Sequence, residues 1–337
     1  MDDIGFALII LAGLLQGSFV APMKATKKWE WENAWFAFTF LGLVVLPAAV
    51  AFLTVPHVGQ VLSTSPPRSV LLAVLFGLGW GCGSACFGLG VREVGMGLAF
   101  SIVSGLTGAL GSLIPWFTAP SKSLGYSVLL WTGVLVMLFG VGVCARAGHE
   151  RDKHLGSASP VGGGKRRFSV GLTICIVGGI LSCFMNLGFV YGADVTRRAA
   201  ALGASPTNAP NVLWMVIMSC GFVANAFYCG YLLVSKRSWE KYRIPEAVPY
   251  FGWALVMALV WEGNLIAYAT GANKIGELGP SVGWPVVLSL TVITSNLWGT
   301  LTGEWRGAGR RAAMIMVAGI ALLVSAVGIL GWASTKA

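Results

Sequence analysis

Apolar residues along this chain come in runs of about 20, separated by short polar stretches. Ten runs can be marked, at about 4–23, 33–54, 69–91, 95–118, 125–145, 168–191, 210–233, 248–271, 278–302 and 312–333. Each has roughly the 20 residues that an α-helix needs to cross a ~30 Å hydrocarbon layer. Periodicity does not separate a spanning helix from a buried core helix, but length and number do, and they predict ten transmembrane helices. The longest and most basic polar stretch, containing Gly162, Gly163 and Gly164, interrupts the series after the fifth run. It divides the chain into a first five-helix repeat over 1–146, a cytoplasmic basic linker over 147–167 and a second five-helix repeat over 168–337.

Five spans per half is an odd number, so the halves insert in opposite orientations. Faint self-similarity agrees with a duplication. Gly5, Gly13 and Leu15 fall on Gly171, Gly179 and Leu181 at a shift of 166. Trp80 and Gly95 fall on Trp261 and Gly276 at a shift of 181, and Gly133, Val141 and Gly142 on Gly319, Val327 and Gly328 at 186. The expected fold is therefore an all-α integral membrane protein of ten helices, built as two inverted repeats. That architecture places a substrate site near the bilayer midplane between the halves.

Composition excludes the soluble alternative. Of 337 residues 56% are hydrophobic and 11% charged, against roughly 25% charged in a soluble domain. The net charge of +10 would suit nucleic acid, but its placement points to the lipid bilayer. Of the 23 Lys and Arg residues, 17 fall in the alternate loops of one side and 6 on the other. Such a bias puts the basic loops in the cytoplasm and both termini outside. Met1-Asp2-Asp3 is acidic where a cleavable signal peptide is basic, so the first run is expected to be retained. Cys82, Cys86, Cys175, Cys183, Cys220 and Cys229 lie inside apolar runs and Cys144 at the end of one, as packing residues rather than zinc ligands or a disulfide framework.

Enzyme motifs are missing from the sequence. The Gly77, Gly79, Gly81, Gly83 run has no preceding strand and no acidic ribose partner, so it does not read as a nucleotide loop. It reads instead as small residues that let helix backbones approach. No metal cluster, nucleophile elbow or cofactor fingerprint is present, and there is no room for a soluble ATP-hydrolysing part. The sequence leaves open whether the chain forms a homodimer.

Several segments resemble the L-rhamnose–proton symporter family of the drug/metabolite transporter superfamily. They are Ala21-Pro22-Met23-Lys24-Ala25-Thr26-Lys27-Lys28-Trp29-Glu30-Trp31-Glu32 with Trp35; Leu75-Phe76-Gly77-Leu78-Gly79-Trp80-Gly81 leading to Gly95-Met96-Gly97; Ala145-Arg146-Ala147-Gly148; Ala200-Ala201-Leu202-Gly203 with Pro206; and Glu304-Trp305 with Ala308-Gly309-Arg310-Arg311. The resemblance implies the ten-helix transporter fold, a bacterial inner membrane, and proton-coupled import of a deoxysugar such as L-rhamnose. Glu262, directly after Trp261, departs from the family pattern and marks where substrate or coupling would differ.

Glu262 is the acid placed deepest in an apolar run, fifteenth in the span 248–271. An ionised carboxylate at that depth costs about 2.5–3.5 kcal/mol on insertion scales. Such a group suits the binding and release of a proton, or direct ligation of sugar hydroxyls; the structural alternative is a hydrogen-bonded packing carboxyl. A proton-coupled exporter of a cationic or amphipathic metabolite would use the same carboxylate. Trp261, Asn264 and Tyr268 at i, i+3 and i+7 line one helix face, offering flat apolar surface and an amide to a sugar. Trp80 stands at the related position of the first half. Gln16 and Asn186, midway along the repeat-related first and sixth runs, are polar candidates for substrate binding or for helix–helix hydrogen bonds. Gly279-Pro280-Ser281-Val282-Gly283-Trp284-Pro285 is the expected site-lining break in a helix, with Trp284 as a stacking surface; a simple kink is the alternative. Lys24, Lys27, Lys28, Arg310 and Arg311 read as topology anchors, and Trp29, Trp31, Trp35 and Trp305 as interfacial aromatics.

Overall fold

The computed structural model describes residues 3–94, 96–118, 123–155, 165–303 and 305–336. Met1, Asp2, Gly95, the glycines 162–164 and Glu304 of the sequence reading lie outside those residues. Every described element is helical: α1 Asp3–Ser18, α2 Trp31–Phe40, α3 Leu46–Thr54, α4 Val58–Thr64, α5 Pro67–Val94, α6 Met96–Thr118, α7 Leu124–His154, α8 Lys165–Ser182, α9 Phe184–Tyr191, α10 Ala193–Ala201, α11 Pro210–Ser235, α12 Ala247–Ile275, α13 Gly279–Leu301 and α14 Arg310–Ser334. Among the described residues, nine helical segments are long and apolar enough to cross a membrane, with mean hydropathy from 1.2 to 2.6. The expected fourth span is helical as α6, where the described apolar part is the shorter Ile102–Thr118.

Local chemistry accounts for the helix boundaries. Ser123 caps α7 by accepting the Tyr126 backbone N–H at 3.1 Å. Glu30 and Asn33 form a reciprocal capping box at the start of α2. Between α2 and α3 the residues Leu41–Val45 form one π-helical turn, in which the Leu46 N–H reaches back to the Leu41 carbonyl. Pro47 follows, with no N–H to offer the Leu43 carbonyl four residues earlier. That carbonyl accepts from the Ser219 hydroxyl at 3.4 Å instead.

Two expectations about helix continuity are corrected. The segment 279–285 is not unwound: α13 is regular from Gly279. Pro280 falls in its first turn, where a missing N–H costs nothing, and Pro285 removes a single bond. The interruption lies in the sixth run instead, where α8 stops at Ser182 and α9 resumes at Phe184. The basic stretch after the fifth run is also partly helical, since α7 continues to His154.

The chain divides into two compact units, Met1–Gly17 with Gly83–Cys183 and Gly271–Ala337, and Ser18–Cys82 with Phe184–Thr270. Each draws on both sides of the basic stretch. In the first, α7 and α14 pack along their length, with Gly133 against Leu330 and Gly319 against Cys144. Here α6 lies against α7, α8 and α13. In the second unit α11 packs against α2, α3 and α10.

At one end of the second unit, the segment entering α2 is tied to the one between α11 and α12. The Glu32 carboxylate, 1% exposed, accepts from the Ser238 hydroxyl at 2.8 Å and from the Lys236 ammonium at 3.2 Å. The Asn33 amide donates to the Ser238 carbonyl at 2.9 Å, and the Trp29 indole donates to the Lys241 carbonyl at 2.9 Å. Lys28 pairs with Glu246, and this hydrogen bond, more than the charge, holds the Glu246 carboxyl below its ordinary range. The three basic residues Lys28, Lys236 and Lys241 thus have structural partners. A hydrogen bond to a charged group contributes about 1.5–3 kcal/mol. Glu32→Ala is therefore expected to destabilise the folded protein by about 2 kcal/mol, read as a lower melting temperature in detergent.

Candidate functional site

The candidate site is built on α12 in the second unit. Its residues Trp261, Glu262, Asn264 and Tyr268 are all buried, at 1% to 5% exposure. Apolar neighbours at helical spacing, with Ala258 and Leu265 also buried, turn this stretch inward.

Trp80 of α5 meets Trp261 nearly parallel, with ring centroids 6.0 Å apart and 18° between the planes. What seats Trp80 is a close crossing of α5 and α11. A Cβ at Gly81 would lie 2.3 Å from the Gly221 carbonyl oxygen, and one at Gly221 would lie 2.5 Å from Trp80 Cε3. Only glycine at both positions allows the backbones this near and leaves the indole its place. Phe19 meets Trp261 edge-on at 4.9 Å, and Phe38 does so at 6.2 Å.

Seven residues further along α12, or about 10 Å at 1.5 Å per residue, Tyr268 belongs to a second aromatic group. Its hydroxyl donates to Asn186 Oδ1. Its ring lies 5.5 Å from Phe189 and 6.3 Å from Trp214, which stack on each other at 5.0 Å and 13°. Asn264 stands on the same helix face between the two groups.

Hydrogen bonding distinguishes these residues. Neither amide atom of Asn264 has a partner among the described residues, nor do Glu262 Oε2 and Trp261 Nε1. No ion pair to Glu262 is present among the described residues. By contrast, Asn225 accepts from Trp35 Nε1 at 3.0 Å and donates to the Gly221 carbonyl at 3.0 Å. Chemically, the arrangement offers an aromatic wall, a carboxylate in apolar surroundings and a two-faced amide.

The remaining candidates, Gln16 and Trp284, belong to the first unit. Trp284 donates its indole N–H to the Thr107 carbonyl at 3.1 Å. Gln16 Oε1 is buried without a donor among the described residues. Sequence reasoning missed Phe19, Phe38, Phe189 and Trp214, whose only signal was aromatic identity inside apolar runs. It also missed Glu32 as a buried carboxylate, since that residue stands just outside the marked run. Among the described residues no group of three His, Cys, Asp or Glu side chains could hold a metal ion.

Comparison with known proteins gives a consistent picture. A family model described as L-rhamnose-proton symport protein (RhaT) matches residues 4–335. The L-rhamnose-proton symporters of Shigella boydii serotype 18 and Escherichia coli strain 55989 are each 28% identical over 326 residues, covering 93% of this chain and 92% of theirs. The Shigella dysenteriae serotype 1 protein of the same name is 28% identical over 329 residues.

Proposed function

The chain belongs to the L-rhamnose-proton symport family, a family of transporters rather than enzymes, and from that premise we propose that it imports a deoxysugar such as L-rhamnose together with a proton. The observation that carries this reading is the cluster on α12. A sugar presents C–H faces to Trp261 and hydroxyls to Asn264, while Glu262 carries the proton. Transport proceeds by alternating access in a bacterial inner membrane, with both termini periplasmic. The wider site in the second unit comprises Trp80, Trp261, Glu262, Asn264, Tyr268 and Asn186.

Ten spans and an inverted duplication complete the proposal, with repeats over 1–146 and 168–337 joined by the basic linker. The unit boundaries support it. The second unit begins at Ser18 in the first half and at Phe184 in the second, a separation of 184 − 18 = 166, the shift already found between the first and sixth runs. A duplicated chain partitions equivalent segments alike. The export of a cationic metabolite is not favoured, because the relatives are named for symport of a neutral sugar.

The energetics are adequate. At ~100 mV one inward proton supplies about 2.3 kcal/mol, and one pH unit adds about 1.4 kcal/mol. Together they sustain an accumulation of roughly a few hundred-fold at one proton per sugar. Labelled L-rhamnose offered to proteoliposomes with an inward proton gradient is expected to accumulate, and to leak back when a protonophore is added. An absence of uptake under that gradient would sink the rhamnose assignment.

A further inference from the structure

Ten buried side-chain polar atoms lack a hydrogen-bond partner among the described residues, and four of them fall within residues 261–264: Trp261 Nε1, Glu262 Oε2, Asn264 Oδ1 and Asn264 Nδ2. Buried polar groups are nearly always paired, and leaving one bare costs about as much as a lost hydrogen bond or more. The other buried asparagines follow that rule. Of the buried asparagines, Asn33, Asn186, Asn211 and Asn225 each hold at least one hydrogen bond. Asn264, 1% exposed, holds none with either atom. Turning its amide over exchanges the two atoms and satisfies neither.

We propose that Asn264 is the specificity-determining residue of the transport reaction and reads a pair of hydroxyls on adjacent carbons of the sugar ring. A carboxamide sets one donor and one acceptor side by side. Two neighbouring gauche hydroxyls match it, one accepting from Nδ2 and the other donating to Oδ1. Trp261, one helical turn earlier on the same face, lies where a ring held by its diol would rest its C–H side. The substrate class is a neutral pyranose with a free vicinal diol. Recognition then lies in the diol and not in the methyl group that replaces the sixth hydroxyl. This inference rests on the functional reading above and names what that site selects.

The test uses the full chain in proteoliposomes under an inward proton gradient. Uptake of L-rhamnose is compared with uptake of analogues lacking one ring hydroxyl, in the wild type and in Asn264→Leu. Leucine keeps nearly the same volume and removes two unpaired buried atoms, so the variant is expected to fold. In the wild type, loss of either hydroxyl of the recognised pair should lower kcat/KM about tenfold or more, as expected for an interaction that leaves its buried partner bare. In Asn264→Leu, rhamnose itself should fall by a similar factor, and the gap between rhamnose and those analogues should close to within about threefold. Asn264→Asp, which keeps an acceptor only, should lose one arm of the discrimination and keep the other. A folded Asn264→Leu that still separates rhamnose from its deoxy analogues overturns the proposal and leaves the function standing. A wild type that takes up neither rhamnose nor any analogue overturns both.

Discussion

Glu262→Gln is expected to abolish accumulation of the sugar while leaving its passive exchange intact. Glutamine keeps the size and one carbonyl oxygen of the side chain and removes the exchangeable proton. In the wild type the proton gradient should sustain an internal concentration roughly a few hundred-fold above the external one. In the variant, internal and external concentrations should equalise. Counterflow needs no net proton movement: vesicles preloaded with unlabelled sugar draw in labelled sugar by exchange alone. It should therefore persist in Glu262→Gln at a rate comparable to wild type. Loss of both activities would make Glu262 a sugar ligand or a packing group. Survival of protonophore-sensitive accumulation would move the proton site elsewhere. The other described carboxylate buried to this degree, Glu32, is already committed to Lys236 and Ser238, whereas Glu262 Oε2 has no such partner among the described residues.

Much of the helical inventory is legible from run length alone, because a spanning helix must bury about 20 apolar residues whatever its neighbours are. The stripe of Trp261, Asn264 and Tyr268 follows from the 3.6-residue period. That Trp80 and Trp261 meet, with near-parallel rings at 6.0 Å, is a finding of the structure, since their related places in the two halves said nothing of contact. The glycine run of the third helix was rightly read as a close approach of backbones, with Gly77 and Gly81 meeting α11 at the Ile217 and Gly221 carbonyls.

What stayed hidden depends on which helix faces which. In an apolar run every aromatic residue looks alike, so neither the Phe189–Trp214 stack nor the contact of Phe19 with Trp261 could be singled out. Helix continuity misled for a different reason. Prolines and glycines at 279–285 suggest a break, but Pro280 occupies a first turn, where its ring fits. The actual break at Cys183 carries no proline or glycine of its own. It falls beside a close approach of α5, since a Cβ at Gly83 would lie 2.8 Å from the Ser182 nitrogen. That neighbour is more than ninety residues away in sequence, out of reach of a local reading.

The same crossing of α5 and α11 gives the second large effect. Gly221→Ala is expected to lower kcat/KM for uptake by about a hundredfold, the usual cost of displacing a binding group by about 1 Å. The added methyl would lie 2.5 Å from Trp80 Cε3 and 2.7 Å from Cζ3, well inside van der Waals contact. Trp80 has to move, and its near-parallel arrangement with Trp261 moves with it. Overpacking of this kind also costs about 1–3 kcal/mol of stability, so a fall in uptake is informative only when measured per folded molecule. The decisive comparison is with Trp80→Phe, alone and combined with Gly221→Ala. Phenylalanine withdraws the atoms that the methyl would strike. If Gly221 acts by seating Trp80, the double variant should transport no worse than Trp80→Phe, because the second substitution has nothing left to displace. If the two losses simply add, the glycine serves only the approach of α5 to α11, and the indole keeps its place beside Trp261 by some other contact.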